Sequence, residues 1–165
     1  MFEDTIDRLP KRARIRLPTS NYAEIGTRVS VTVSVEGRRS VFVNSDLGGA
    51  VIDVLREQSE RLRVGVLAYC LMPDHLHVLL QVDGDVDVVR LLQAFKGKTT
   101  NLSWGFGLKG QLWQRSFYDH VLRDTEDDSE MIRYILANPV RAGLVDTWND
   151  YPFSGSFAYE LSDGL

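Results

Sequence analysis

The spacing of hydrophobic residues changes repeatedly along this chain, and that change restricts the folds open to it. Residues 29–35 alternate strictly and place β-branched side chains on one face, which predicts a β-strand. Residues 46–62 then change to helical spacing, because their apolar side chains can share one helix face. We expect Asp46 to cap the start of this helix. The chain therefore opens with a strand followed by a helix.

A hairpin is predicted next. Residues 63–71 form a long apolar run that is typical of a central strand. The sequence Met72-Pro73-Asp74 predicts a tight turn, and residues 75–82 predict a further strand antiparallel to the one before. We expect these two strands to be the central pair of a sheet.

The remaining segments complete a recognisable order of elements. Residues 86–103 predict a helix, residues 113–123 a strand and residues 126–137 a helix that Pro139 ends. Thr125 with Asp128 resembles a capping pair for this last helix. The order strand, helix, strand, strand, helix, strand, helix predicts an α+β fold. It indicates a ferredoxin-like sandwich, an antiparallel sheet with helices on one face.

Length and composition favour one domain. We expect residues 28–165 to form it, aromatic C-terminal tail included, and residues 1–27 to form an N-terminal arm with a basic cluster. No apolar run reaches the roughly 18 residues of a membrane helix, and no signal-peptide pattern is evident. The single cysteine, Cys70, indicates a reducing compartment, so we expect a cytoplasmic protein. A net charge of −4 argues against a protein that coats duplex DNA.

His75 and His77 are the first candidates for chemistry. Residues two apart in a strand point to the same face, so both imidazoles can converge on one metal ion while Leu76 points away. A pair of half-buried, hydrogen-bonded histidines without a metal gives the same pattern. The short motif by itself leaves both interpretations open.

Tyr134 and Asn138 form a second candidate pair. Their spacing of four residues places both on one side of the last predicted helix. Tyr134 lies well away from the centre of the apolar stripe of this helix, so it can point towards a cleft. A tyrosine at the rim of the core is the structural alternative.

Basic and aromatic residues suggest where nucleic acid could bind. The segment 113–123 interleaves aromatic residues with arginines, which suits stacking of unpaired bases and contact with phosphates. A plain strand with a charged edge is the alternative. His120 in this segment could support a metal site from the second shell. The candidate DNA contacts are the basic residues Lys96, Lys98, Arg115, Arg123 and Arg141.

Three sequence blocks together resemble a known family. Residues 68–80 (AYCLMPDHLHVLL), the segment 113–123 and residues 134–145 (YILANPVRAGLV) look like the signatures of the REP-associated tyrosine transposases. These belong to the wider class of HUH single-strand DNA transposases. The resemblance covers most of residues 28–155, although the turn at 36–39 only loosely matches the family's Arg-Gly-Asn segment.

The resemblance implies a ferredoxin-like fold and a nick-and-join reaction on single-stranded, hairpin DNA. By position, Tyr134 matches the family nucleophile, and His75 and His77 match the ligands of a divalent metal, Mg²⁺ or Mn²⁺. Asn138 stands where insertion-sequence relatives carry a glutamine ligand. Tyr118 is the rival nucleophile. Relatives act as monomers or homodimers, and the sequence does not choose between these states.

Two other functions fit the same residues. One is a non-catalytic nucleic-acid-binding protein that has kept the fold. The other is a metal-dependent phosphodiesterase that uses water and the histidine pair, and it predicts cleavage that survives the substitution Tyr134→Phe.

Overall fold

The computed structural model describes residues 22–162, so most of the predicted N-terminal arm lies outside the described residues. The strands are β1 (Arg28–Ser34), β2 (Val64–Met72), β3 (His75–Val82), β4 (Tyr118–Val121) and β5 (Ser154–Gly155). The helices are α1 (Ser45–Leu62), α2 (Val88–Trp104), α3 (Asp128–Leu136) and α4 (Asn138–Arg141). Short 3₁₀ turns lie at Glu36–Arg38, Val41–Val43 and Trp148–Asp150. No described helix is long and apolar enough to cross a membrane.

The five strands form one sheet in the order β4-β1-β3-β2-β5. Every neighbouring pair is antiparallel, which confirms the predicted α+β class with an antiparallel sheet. The strands β2 and β3 pair directly, as predicted, and β3 is the middle strand. On its other side β2 pairs only with the two-residue strand β5, through Tyr69 and Cys70. Strand β5 was not predicted from the sequence.

The helices pack on both faces of the sheet. The β3 side chains Leu76, Val78, Leu80 and Val82 belong to the core beneath α1 and α2. Leu79 belongs to a second core on the opposite face, beneath α3. The prediction of helices on one face therefore holds for α1 and α2 but is wrong for α3.

The second core explains why α3 can lie on that face. On that face β2 presents Leu67, Ala68, Cys70 and Met72, all buried. The apolar side chains of α3 pack against them: Ile132, Ile135 and Leu136. A central strand that is apolar on both faces needs a cover on each, because exposed apolar surface is unfavourable in water.

Two predicted helix starts differ from those observed. The side chain of Asn44, not Asp46, caps α1 by accepting hydrogen bonds from the backbone N–H groups of Asp46 and Leu47, both at 3.1 Å. The cap of α3 is Asp127, which accepts from the Ser129 N–H at 2.8 Å, so the predicted Thr125 pair is not used. In both cases the cap is the residue with extended backbone angles next to the first helical turn.

The strand predicted over 113–123 is shorter than expected. Only Tyr118–Val121 pairs continuously, and Trp113 contributes a single bridge to Val35. Trp113 is completely buried between the sheet and α2, where its indole N–H donates to Thr99 Oγ1 at 2.7 Å. The helix predicted over 126–137 is α3, which ends at Leu136 before Pro139, as expected. The short helix α4 then follows and was not predicted, and Pro139 lies in its first turn.

Candidate active site

His75 and His77 lie on the face of β3 that α3 covers. His77 is 9% exposed, and its Nε2 atom lies 3.0 Å from Ser30 Oγ on β1. His75 is partly buried, and its Nδ1 atom lies 2.8 Å from Asp74 Oδ1. The two-residue period of the strand thus places both imidazoles on one side, as predicted.

Tyr134 and Asn138 reach the same place from α3 and the start of α4. The rings of Tyr134 and His77 meet edge to face, with centroids 5.8 Å apart and planes at 79°. Asn138 Nδ2 lies 3.2 Å from His77 Nδ1. The structure therefore brings the two candidate pairs into one cluster, although 57 residues or more separate them in the chain.

Arg141 also belongs to this cluster. Its guanidinium carbon lies 4.2 Å from the centroid of the Tyr134 ring, a cation–π geometry. Its Nη1 donates to the Tyr134 carbonyl at 2.9 Å, and its Nη2 donates to Asn138 Oδ1 at 3.0 Å. Arg141 follows Tyr134 by seven residues and lies on the same side, because Ala137 between α3 and α4 keeps helical backbone angles. From the sequence, Arg141 is predicted only as a DNA contact.

Burial controls the charge of His77. Burial, helped by the nearby His75 and Arg141, lowers the pKa of His77 to about 3. The imidazole is therefore neutral near pH 7, which is the form that binds a metal. Cys70, the register partner of His77 on β2, is fully buried, and burial raises the pKa of its thiol to about 12. Cys70 is thus a structural residue rather than a reactive one.

The donor set fits a divalent metal in part. Among the residues that the structure describes, no group of three or more His, Cys, Asp and Glu could hold one. His75 has the arrangement usual for a metal ligand, because the Asp74 carboxylate binds Nδ1 and leaves Nε2 accessible. Asn138 presents its amide nitrogen to His77 while Arg141 holds its oxygen. Asn138 fits as a ligand only if its amide turns.

Comparison with known proteins identifies the family. The family model described as "Transposase IS200 like" matches residues 26–138, a range that includes His75, His77, Tyr134 and Asn138. The chain belongs to the IS200-like transposase family. Within this family it is similar to a REP-associated tyrosine transposase from Escherichia coli (strain K12), with 31% identity over 138 residues. The match covers 81% of this chain and 78% of that relative.

Further relatives support the assignment to the REP-associated tyrosine transposases. A putative member from Haemophilus influenzae is 29% identical over 110 residues and covers 60% of this chain and 62% of the relative. A solved REP-associated tyrosine transposase bound to a REP hairpin superposes with a TM-score of 0.68 at 28% identity, covering 81% of this chain and 78% of that one. A putative transposase from Deinococcus radiodurans, with a TM-score of 0.51 and 19% identity, covers 78% of this chain and 97% of that one and shows the fold alone.

Other predicted site residues of this chain lie apart from the cluster. His120 lies on the same sheet face, as the register partner of Ser30, but its Nε2 atom binds Glu126 Oε1 at 2.8 Å. Arg115 and Arg123 are exposed near β4, and neither shows a contact with the histidine pair.

The two lysines lie on the other side of the molecule. Lys96 and Lys98 are on α2, which packs on the opposite sheet face from α3. Lys96 Nζ donates to the Arg115 carbonyl at 3.0 Å, and Lys98 Nζ pairs with Glu57 Oε1 at 2.8 Å. Both lysines therefore hold elements of the protein together.

Sequence reasoning missed three residues that touch the cluster. Ser30 contacts His77, and Arg38 Nε contacts Asp74 Oδ2 at 3.0 Å. From the sequence, Asp74 is predicted only as part of the turn between the two strands. The position of Asp74 directly before the histidine motif was a usable signal. The contacts of Ser30 and Arg38 depend on strand register and on loop geometry, which cannot be predicted from the sequence.

Proposed function

We propose that this protein cleaves and rejoins single-stranded, hairpin-forming DNA with Tyr134 as the nucleophile. The observation that carries the proposal is the position of the Tyr134 ring, against the edge of His77 and under the guanidinium of Arg141. A tyrosine that only fills the rim of the core needs neither neighbour. Family membership and the solved relative bound to a REP hairpin support the choice of substrate.

The reaction is a phosphoryl transfer with a covalent intermediate. The Tyr134 hydroxyl oxygen attacks the scissile phosphorus and loses its proton to a base or to solvent. The bond from phosphorus to the 3′ oxygen breaks, and that oxygen leaves as a 3′ hydroxyl after taking up a proton. The 5′ phosphate stays on Tyr134 and conserves the bond energy, so a 3′ hydroxyl can attack it and rejoin the strand.

The protein's own groups prepare this attack. Arg141 holds the Tyr134 ring and the carbonyl at the end of α3, so the phenol is positioned before DNA arrives. His75 and His77, with Asn138 after rotation of its amide, would hold Mg²⁺ or Mn²⁺. Such an ion offsets the negative charge that develops on the phosphate.

Denaturing gel electrophoresis tests the proposal. The protein is mixed with Mn²⁺ or Mg²⁺ and a labelled single-stranded hairpin from repeats beside its gene, and the variants are Tyr134→Phe and Tyr118→Phe. Tyr118 is the matched control, because it is 52% exposed on β4 and was the rival nucleophile. We expect a DNA-linked protein band with wild type and Tyr118→Phe, and none with Tyr134→Phe or without metal.

The other outcomes distinguish the remaining functions. Free cleavage products that persist with Tyr134→Phe would favour the water-using phosphodiesterase. A retained band shift on a native gel without cleavage by wild type would favour a binding protein. A covalent band lost only in Tyr118→Phe would make Tyr118 the nucleophile.

A further inference from the structure

We infer that His75 and His77 are held in opposite tautomers, and that Asp74 and Arg141 are the positioning residues that select them. The groups that select the tautomers have a fixed role as hydrogen-bond donor or acceptor. A carboxylate accepts, whereas a guanidinium and an amide NH₂ donate. The consequence of these tautomers for metal binding rests on the proposed function, whereas the tautomers themselves do not depend on it.

For His75 the selecting group is Asp74. Its Oδ1 lies 2.8 Å from His75 Nδ1, and a carboxylate oxygen can only accept at that distance, so Nδ1 carries the proton. The lone pair of Nε2 is then available to a cation. Asp74 Oδ2 is occupied as well, because Arg38 Nε donates to it at 3.0 Å. Both oxygens of Asp74 therefore have partners, and the carboxylate acts on the imidazole instead of as a ligand.

The loop that carries Arg38 is fixed beside Asp74 by the backbone. Val35 N donates to the Asp74 carbonyl at 2.9 Å, and Phe42 N donates to the Pro73 carbonyl at 3.0 Å. These two bonds attach both ends of the 35–42 segment to the β2–β3 turn. Arg38 has a φ of 53°, a left-handed conformation that is costly for a residue with a side chain. The chain tolerates this conformation at the residue that anchors Asp74.

For His77 the selecting group is Arg141, which acts through Asn138. Arg141 Nη2 donates to Asn138 Oδ1 at 3.0 Å, and a guanidinium cannot accept, so the amide oxygen must face Arg141. The amide nitrogen then faces His77 Nδ1 at 3.2 Å and donates to it. The ring proton of His77 is therefore on Nε2, from which it is donated to Ser30 Oγ at 3.0 Å.

As a result, the ring nitrogen that carries no proton is a different atom in the two histidines. These atoms are Nε2 of His75 and Nδ1 of His77, and a divalent cation held by both histidines would bind the two rings through different atoms. At His77 such a cation would replace the hydrogen bond from the Asn138 NH₂ group, and Asn138 would offer its oxygen only after its amide rotates. Arg141 therefore holds the Tyr134 ring and also decides which nitrogen of His77 is available. The same side chain links the nucleophile to the predicted metal ligands.

Long-range ¹H–¹⁵N correlation NMR of the full-length protein tests the inference. Spectra are recorded on the ¹⁵N-labelled protein at pH 8.5 with EDTA and without DNA. The chain has three histidines, so the variants His75→Gln, His77→Gln and His120→Gln assign every ring signal. We expect the Nδ1–H form for His75 and the Nε2–H form for His77. Detection of both residues in the same tautomer in wild type would overturn the inference without any further variant.

Substitutions of the selecting groups test the cause. Asp74→Ala should remove the Nδ1–H signal of His75 only, and Arg141→Gln should remove the single tautomer of His77 only. Arg133→Gln, an exposed arginine on α3, controls for the loss of a positive charge and should change neither. Spectra that are unchanged in both Asp74→Ala and Arg141→Gln would show that other groups select the tautomers.

A metal titration tests the consequence separately from DNA cleavage. Mn²⁺ affinity, measured by electron paramagnetic resonance, should fall about 10- to 100-fold in Asp74→Ala, as for other ligand-orienting partners. It should be unchanged in Tyr134→Phe, in which cleavage is expected to be lost. Unchanged Mn²⁺ affinity in Asp74→Ala would remove its positioning role. Failure of Tyr134 as nucleophile would leave the tautomers and the Mn²⁺ result as predicted.

Discussion

At the scale of single residues, the burial of His77 is unusual for an imidazole that is expected to bind a cation. It is 9% exposed, and both ring nitrogens have hydrogen-bond partners, Ser30 Oγ and Asn138 Nδ2. These partners satisfy the neutral ring, whereas a protonated ring would have no acceptor at Nδ1. Burial and polar partners thus select the neutral state together.

The same burial predicts a pH dependence of stability. In the unfolded chain a histidine titrates near pH 6.5, and in the folded protein the pKa of His77 is lowered to about 3. Below pH 6.5 the unfolded state therefore binds more protons, so this contribution to stability is complete above pH 6.5 and is lost as the pH falls. From pH 6.5 to pH 5 the free energy of unfolding should drop by up to about 2 kcal/mol more in wild type than in His77→Gln.

Urea unfolding at the two pH values, in metal-free buffer, measures this difference. The variant His77→Gln is the reference that cancels the titration of all other groups. Equal losses in the two proteins would show that His77 is protonated in the folded state, contrary to its burial.

At the scale of elements, the start of α1 shows that two neighbouring polar residues can both be candidates for the helix cap. Asp46 and Asn44 are both good capping residues, and both lie near the start of α1. Asn44 has extended backbone angles (φ −74°, ψ 106°) and accepts two N–H groups, whereas Asp46 lies inside the first turn. The preceding 3₁₀ turn, Val41–Val43, sets these angles, so the cap depends on a loop that the hydrophobic pattern does not describe.

Substitution of the two residues separates their roles. Asn44→Ala leaves two N–H groups without their acceptor and should lower the free energy of unfolding by about 1 kcal/mol. Asp46→Ala removes only a favourable interaction with the helix dipole and should cost less, about 0.3–1 kcal/mol. Chemical denaturation measures both. A larger cost for Asp46→Ala would reverse the assignment of the cap.

At the scale of the whole molecule, the sheet separates two sides with different roles. The face covered by α3 carries His75, His77 and Tyr134, whereas α1 and α2 cover the other face. Lys98 lies on that other side and is paired with Glu57. DNA that reaches the candidate active site therefore needs no contact with Lys98.

Salt dependence of DNA binding tests this separation. Each lysine that neutralises a phosphate contributes about 1 to the slope of log affinity against log salt concentration. Lys98→Gln should leave this slope and the affinity for the hairpin unchanged, as measured by fluorescence anisotropy at several salt concentrations. Glu57→Gln is the control for loss of the ion pair. A slope smaller by about 1 in Lys98→Gln alone would place DNA on the α2 side.

The sequence by itself determined the features that depend on local periodicity. The two-residue period of a strand puts His75 and His77 on one face, and the helical period puts Tyr134 and Asn138 on one side of their segment. The order of strands and helices follows from the same periods, and it was sufficient to predict the α+β class. These features depend only on residues that are close together in the chain, so they can be predicted from the sequence.

The tertiary structure alone decided which distant groups meet. The sequence could not place α3 on the second face, because that depends on β2 and β3 being apolar on both sides and on the length of the connection from β4. It could not bring Arg38 to Asp74, because that contact depends on a left-handed residue in a loop. Hydrogen bonds require a precision of a few tenths of an ångström, and only the packing of the complete chain fixes side chains that closely.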